Sequence, residues 1–260
     1  MSQIASTAHS DALAVEELKK KDSLRIRAMF GRVARRYDLL NHLLSASLDR
    51  VWRRKLARSL KLPPGSRVLD LCCGTGDQAL ALRGPGVEIV AADFCLPMLA
   101  LAAPKFAAAK PSRQSDGQRL TLLNADALGL PFPDASFDAA TVSFGLRNVS
   151  DLDRALTELA RVLRPGGELG VLEFTAPVQQ PLRGLYLFYF KHLLPRVGRL
   201  LSSDPTAYTY LPSSVLDFPQ REAFNARMAA AGFKGATARS LSGGVLALYR
   251  ARTQGGNETS

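Results

Sequence analysis

Cysteine is scarce in this 260-residue chain, and long apolar runs are absent. Cys72, Cys73 and Cys95 are odd in number and form no C-x-x-C pair, which argues against a disulfide framework and against a zinc site. Charge interrupts every apolar stretch before the roughly 20 residues that a membrane-spanning helix needs. The opening MSQIASTAHSDALAVEELKKK lacks the apolar centre of a secretory signal, so a cytoplasmic location is the expectation. No internal repeat or low-complexity tract is present. Acidic residues are also in deficit: 34 Lys and Arg face 23 Asp and Glu, a net charge of +11. Residues 1–60 hold thirteen of those cations and six of the anions, so this stretch alone contributes +7. Such an excess suits RNA, DNA or an anionic membrane surface, and a solvated helix face explains it equally well.

What is present is a change of period. From Glu16 to Leu60, apolar residues recur at helical spacing, which predicts several short helices. After the turn P-P-G-S at 63–66, buried strands and helices alternate. RVLDLCC is a strand and GTGDQALALRG a helix. EIVAADF is a second strand, followed by PMLALAAPKFAAA, a helical segment with a proline inside. Beyond the polar loop KPSRQSDGQR come LTLLNAD and FDAATVSFG, the third and fourth strands. DLDRALTELARVL is an amphipathic helix near-capped by Asp151 and stopped by RPGG, and ELGVLEF is the fifth strand. This rhythm predicts an α/β fold with a doubly wound, mostly parallel sheet.

Ligands of such sheets sit beyond the carboxyl ends of the strands. After the first strand stands D-L-C-C-G-T-G-D, where Gly74 and Gly76 allow a tight turn and close approach to the backbone. Gly74, Gly76 and Ala79 also satisfy the bare dinucleotide pattern, so an NAD-dependent oxidoreductase has to be weighed. Three carboxylates shift the balance. Asp70 would repel a pyrophosphate but hold an ammonium, Asp93 suits ribose hydroxyls, and Asp126 suits an adenine amino group. Together they fit a cationic sulfonium ligand such as S-adenosylmethionine, although each alone reads as a turn or cap aspartate.

The fourth strand ends in V-S-F-G-L-R-N, and an arginine there must meet water, a carboxylate or an incoming ligand. With MFGRVARRYDLLNHLLS, DRVWRR, VLDLCCGTGD, RVLRPGGELGVLEF, HLLPRVG, AYTYLPSSV and GGVLALYR, it makes residues 29–250 resemble the ubiquinone/menaquinone biosynthesis C-methyltransferases, class I S-adenosylmethionine-dependent enzymes. Cys72 departs from the broad pattern, standing where the first glycine of the loop is common.

The resemblance implies a seven-stranded Rossmann-like sheet whose last strand pair falls near Gly235–Arg252. It implies tails at 1–15 and 253–260 and one domain over 16–252: N-terminal helices to 60, a donor-binding core at 61–178, a lid insertion at 179–220, and a final helix and strand pair at 221–252. It further implies S-adenosylmethionine as methyl donor with no metal, bound by Asp70, Gly74, Thr75, Gly76, Asp93, Asp126, Ala127 and Ser143. Arg147 and Asn148 would act on the phenol oxygen of a polyprenylated quinol, with Tyr37 closing over the site. Demethylmenaquinol is the preferred acceptor and the benzoquinol of ubiquinone biosynthesis the alternative. Arg147 paired with Asp126 or Asp151 is the competing structural reading, and His192 is more simply a packing residue. Peripheral contact with the inner face of the cell membrane and a homo-oligomer are compatible with this picture. A basic nucleic-acid methyltransferase or RNA-binding module is the rival of another class, weakened by the lack of an N/D-P-P-Y motif and of a separate RNA-binding domain, so no nucleic acid is expected.

Overall fold

Strands β1 (Arg67–Leu71), β2 (Glu88–Asp93) and β4 (Phe137–Ser143) are near-continuous buried runs, as strands covered on both faces must be. The computed structural model describes residues 22–45, 47–109, 119–189 and 205–255. With β3 (Arg119–Asn124), β5 (Leu163–Phe174), β6 (Phe233–Leu241) and β7 (Leu246–Thr253), these strands form one seven-stranded sheet of order β3-β2-β1-β4-β5-β7-β6. β1 to β5 run parallel, and β7 lies antiparallel between β5 and β6. The order reverses between β1 and β4, which opens a crevice at their carboxyl ends.

Among the described residues, the N-terminal region holds two helices. α1 (Ser23–Leu44) begins where Asp22 Oδ1 accepts the Leu24 amide at 2.9 Å, and α2 (Leu48–Ser59) begins at Ser47, whose φ of 60° breaks the path between them. α2 buries Asp49, Trp52, Arg53 and Leu56, a stripe at helical spacing that mixes two charges with two apolar anchors.

The crossover helices are α3 (Asp77–Ala81), α4 (Leu96–Ala108, with Pro104 inside) and α5 (Leu152–Val162). α3 is shorter than its sequence suggests. α5 is capped by Asp151, which accepts the Arg154 amide at 3.0 Å, and buries Leu152, Ala155, Leu156, Leu159 and Val162. Each such leucine contributes about 1.5–3 kcal/mol. The R-P-G-G stretch does end α5, yet it joins the strand. β5 begins at Leu163 because Gly166 adopts φ 77° and its amide meets the Gln254 carbonyl at 3.3 Å. α6 (Leu182–Phe188), α7 (Pro205–Asp217) and α8 (Glu222–Ala230) complete the described helices. His192 and the 1–15 tail lie outside the described residues.

Candidate active site

β4 stops at Ser143 because the next residue cannot continue it. Phe144 has a φ of 64°, a left-handed conformation that is unfavourable for an aromatic residue, and the chain turns into a 3₁₀ turn at Leu146–Asn148. Gly145 permits that turn: a Cβ there would lie 2.3 Å from the Cβ of Cys72. Cys72 itself has a φ of 55°, which explains why glycine is common at its position. The FGLRN turn and the loop after β1 thus pack directly against each other.

Two cavities flank this contact. The first, about 740 Å³, is lined by Gly74, Asp93, Asp126, Ala127 and Ser143, together with Cys72, Phe94, Cys95, Met98 and Leu128. The second, about 1120 Å³, is walled mainly by apolar and aromatic side chains: Met29, Phe30, Val33, Trp52, Phe174, Tyr186, Tyr189, Tyr210 and Leu211. Phe30, Tyr37, Phe144 and Asn148 line both. A group held in one cavity therefore faces a group held in the other across four side chains.

In the first cavity, Asp93 Oδ2 accepts the Gly74 amide at 2.8 Å and Oδ1 accepts the Cys95 amide at 2.8 Å. This fixes the carboxylate and ties β2 to the glycine loop, with lone pairs left for hydroxyl donors. Burial raises the Asp93 pKa against these hydrogen bonds. Asp126 forms a turn with the Leu128 amide at 2.9 Å and is otherwise exposed. The Ser143 hydroxyl donates to Gln78 Oε1 at 3.0 Å, and Gln78 Nε2 is buried without a hydrogen-bond partner. The fixed Asp93 carboxylate, the exposed Asp126 and flanking apolar side chains fit a nucleoside-bearing cation. Burial, reinforced by Asp93 and Asp70, pushes the Cys72 thiol well above its ordinary pKa, so it stays protonated and weakly nucleophilic.

Three residues expected at this cavity do not line it. Asp70 is fully buried one position before the end of β1, accepting the Thr141 hydroxyl at 2.8 Å, while its Oδ2 has no partner. Burial, opposed by Thr141 and by Arg53, raises its pKa to about 7. Thr75 donates to Asp38 Oδ1 of α1 at 2.5 Å, and Lys105 bridges Asp38 at 2.6 Å and Asp77 at 2.7 Å. Thr75 therefore straps the loop to the N-terminal helix. Gly76 has a φ of 85° and packs against Phe106, where a Cβ would come within 2.4 Å.

Arg147 lines the second cavity, and its partner is neither Asp126 nor Asp151. Nη1 meets Glu173 Oε1 at 2.8 Å, with side chains 7% and 0% exposed, and also donates to the Phe144 carbonyl. Burial disfavours the charge, but Glu173, Tyr37 and Tyr210 together outweigh it and hold the guanidinium above its usual pKa. Its Nε has no hydrogen-bond partner. Burial raises the Tyr37 pKa, opposed by Arg147, Asn41 and Arg53 in decreasing order. Tyr210 is pushed up to about 12 by burial. Sequence reasoning missed Glu173, Phe144, Trp52 and Arg53. A lone acid inside V-L-E-F, and two charges on the buried stripe of α2, were the available signals.

A family model described as the ubiE/COQ5 methyltransferase family matches residues 17–253. A demethylmenaquinone methyltransferase from Parafrankia sp. is 45% identical over 249 residues, covering 92% of this chain and 97% of that protein. One from Thermus thermophilus is 50% identical over 79% of this chain and 91% of its own. A ubiquinone/menaquinone biosynthesis C-methyltransferase UbiE from Geobacter sp. is 46% identical, covering 86% and 94%. Among solved structures, a possible histamine N-methyltransferase from Thermotoga maritima shares the fold with a TM-score of 0.60 at 20% identity, over 88% of this chain and all of that one. The cyclase SpnF also shares it, with a TM-score of 0.57 at 23% identity over 81% and 83%. That fold alone does not set the chemistry, but the family match does: the chain belongs to the ubiE/COQ5 methyltransferase family and is an S-adenosylmethionine-dependent C-methyltransferase.

Proposed function

We propose that this enzyme methylates a ring carbon of a polyprenylated quinol, converting demethylmenaquinol to menaquinol. The observation that carries this reading is the shared wall of Phe30, Tyr37, Phe144 and Asn148 between a carboxylate-bearing cavity and a large aromatic one. The relatives named for demethylmenaquinone supply the acceptor class, and the double name of the Geobacter relative keeps the benzoquinol as the second reading.

Asp93 is positioned for ribose hydroxyls and Asp126 for an adenine amino group, with Gly74, Ala127 and Ser143 beside them. Asp70, Thr75 and Gly76 support the loop from beneath and behind. Bound S-adenosylmethionine supplies an electrophilic methyl group. What the chain adds is alignment and charge control at the acceptor. Loss of the phenolic proton pushes electron density onto the ortho carbon, and no covalent enzyme nucleophile is required. Asn148 and Tyr37 stand in the shared wall to orient the ring oxygen, and Arg147 holds the turn that carries Asn148 through Glu173 and the Phe144 carbonyl. Aromatic walls accommodate the ring and the start of its prenyl tail.

Among the described residues, no helix is long and apolar enough to cross a membrane. A water-insoluble acceptor then calls for contact at the membrane surface. α6 suits it: Tyr186 turns into the cavity at 7% exposure, while Leu185 and Phe188 are 67% and 60% exposed. The exposed cations Arg50, Arg54, Lys55 and Arg58 of α2 suit an anionic leaflet. Incubation with labelled S-adenosylmethionine and each reduced quinone precursor, with chromatography of the lipid products, tests the proposal. Label should enter menaquinol with the quinol and not with the oxidised quinone. Equal labelling from both under strict exclusion of reductant would contradict the mechanism.

A further inference from the structure

Among the described residues, no acidic side chain pairs with the buried cation Arg53. It lies on the cavity side of α2 at 9% exposure, and its Nε is sealed from solvent without a hydrogen-bond partner. Its contact is with the face of Phe144, 5.2 Å from Cζ to the ring centroid. Asp49, one turn earlier on the same stripe, is taken by His42 at 2.9 Å and by the Ser45 hydroxyl at 2.9 Å. Tyr37, Asp49 and Asp70 feel the field of Arg53, yet none is paired with it. The second guanidinium of the cavity, Arg147, is neutralised by Glu173. A cation withdrawn from water is unfavourable unless an acceptor meets it. Among the described residues, no carboxylate of this cavity is paired with Arg53, which leaves its guanidinium available to an incoming acceptor.

The place of Arg53 is also held rigidly. Trp52 Nε1 donates to Ser242 Oγ at 2.9 Å, and Leu56 is fully buried against Gly170, where a Cβ would come 2.6 Å from Leu56 Cδ1. α2 is thus pinned on both sides of Arg53. In an ortho methylation, the carbon that reacts neighbours the carbon that bears oxygen. The ligand of that oxygen must therefore stand beside the wall where the two cavities meet. Phe144 belongs to that wall, and the Arg53 guanidinium lies over it.

From this geometry we infer that Arg53 is the direct ligand of the acceptor's ring oxygen and stabilises its ionised form, with the phenolic proton passing to water. Arg147 is then the positioning residue of the pair, holding the FGLRN turn on Glu173. The inference rests on the methyl-transfer reading of the site, and the test separates the two. A chromogenic naphthol, 4-nitro-1-naphthol, reports its own ionisation by visible absorbance. Bound to the full-length protein, it should ionise at a pH about one unit lower than when free, a tenfold preference for the anion. Arg53→Gln should abolish that shift, and Arg53→Lys should keep part of it.

Melting temperature and S-adenosylmethionine affinity, measured on the same preparations, check that the fold and the donor site survive. Turnover of reduced demethylmenaquinone by Arg53→Gln should fall on the order of 10²-fold in kcat. An unshifted probe in the wild-type protein overturns the inference. So does the same shift in Arg53→Gln, or an equal loss of affinity for the neutral and ionised probe. A probe shift that depends on Arg53, in a protein that methylates no quinol, would keep Arg53 as an aryl-oxyanion ligand and discard the quinol reading.

Discussion

The donor cavity takes its polar groups from the ends of β2 and β4 and from the loops after β1 and β3, whereas the acceptor cavity is walled mostly by α1, α2, α6 and α7. The sheet contributes to the second mainly Phe174, and the turn after β4 contributes Phe144, Arg147 and Asn148. One side is therefore prescribed by the fold, because strand ends and loop amides must fall where the parallel sheet puts them. The other is assembled from appended helices that a different methyltransferase is free to replace. Charge is handled differently too. The donor side fixes Asp93 through backbone amides, while the acceptor side balances Arg147 against Glu173 and leaves Arg53, among the described residues, without an acidic partner.

The comparison breaks most visibly at the buried ion pair. Arg147→Met leaves Glu173, 0% exposed, as an uncompensated charge and should lower stability by about 3–5 kcal/mol. Turnover should fall with it. Adding Glu173→Leu should restore the melting temperature but not kcat, since the guanidinium also holds the FGLRN turn through the Phe144 carbonyl. Recovery of both in the double variant would reduce Arg147 to a structural tie.

Asp70 provides the next effect, because it belongs by sequence to the donor set and by position to the core. Its pKa rises from 3.8 to about 7 on folding, so the unfolded state ionises first. Well below pH 3.8, both states hold the proton and no penalty arises. As pH climbs from about 4 to 7, the folded state is progressively disfavoured, and above 7 the penalty is fully present. Asp70→Asn, which keeps an acceptor for Thr141, should therefore stabilise the protein by roughly 2–3 kcal/mol at pH 8, with the gain fading toward pH 4. Melting temperatures of both proteins across that range check the sign. A gain that grows on acidification would be the wrong sign.

This aspartate also marks how far the sequence could be read. The alternation of strands and helices, the sheet class and the last strand pair were legible because apolar runs and glycine turns are local signals. Strand-end groups were legible only when they were truly terminal. Asp93 is the last residue of β2 and Ser143 the last of β4, and both line the cavity. Asp70 is the penultimate residue of β1, and its carboxylate stays in the sheet layer. Asp70 pairs with Ala91 and Thr141, two positions short of Asp93 and Ser143, so its side chain lies deeper in the sheet rather than at the strand end. Glu173 needed knowledge of register: Ser143 pairs with Leu172, so the turn after β4 is delivered beside the next residue of β5. Arg53 was hidden for a different reason. D-R-V-W-R-R reads as a solvated basic helix until α2 is seen to be buried along that stripe.

On the donor side, Asp93→Ala should weaken S-adenosylmethionine binding by about 1–3 kcal/mol if Asp93 accepts the ligand hydroxyls as proposed, since the carboxylate that pins the Gly74 and Cys95 amides is lost. Acceptor affinity should change little. Calorimetry with unchanged donor affinity in a folded variant would remove Asp93 from the site.

The smallest effect probes the seam between the halves. The Thr75 hydroxyl, on the donor loop, donates to Asp38 on α1, and Lys105 and Asp77 complete the strap. Thr75→Val keeps the shape and removes one hydrogen bond to a charged group, a loss of about 1 kcal/mol or somewhat more in stability. If Thr75 binds the donor itself, the variant should lose donor affinity and leave acceptor KM alone. The strap predicts the opposite distribution. α1 carries Met29, Phe30, Val33 and Tyr37 into the acceptor cavity, so loosening it should raise acceptor KM a few-fold while donor affinity holds. Measuring both constants on one preparation decides which half owns Thr75.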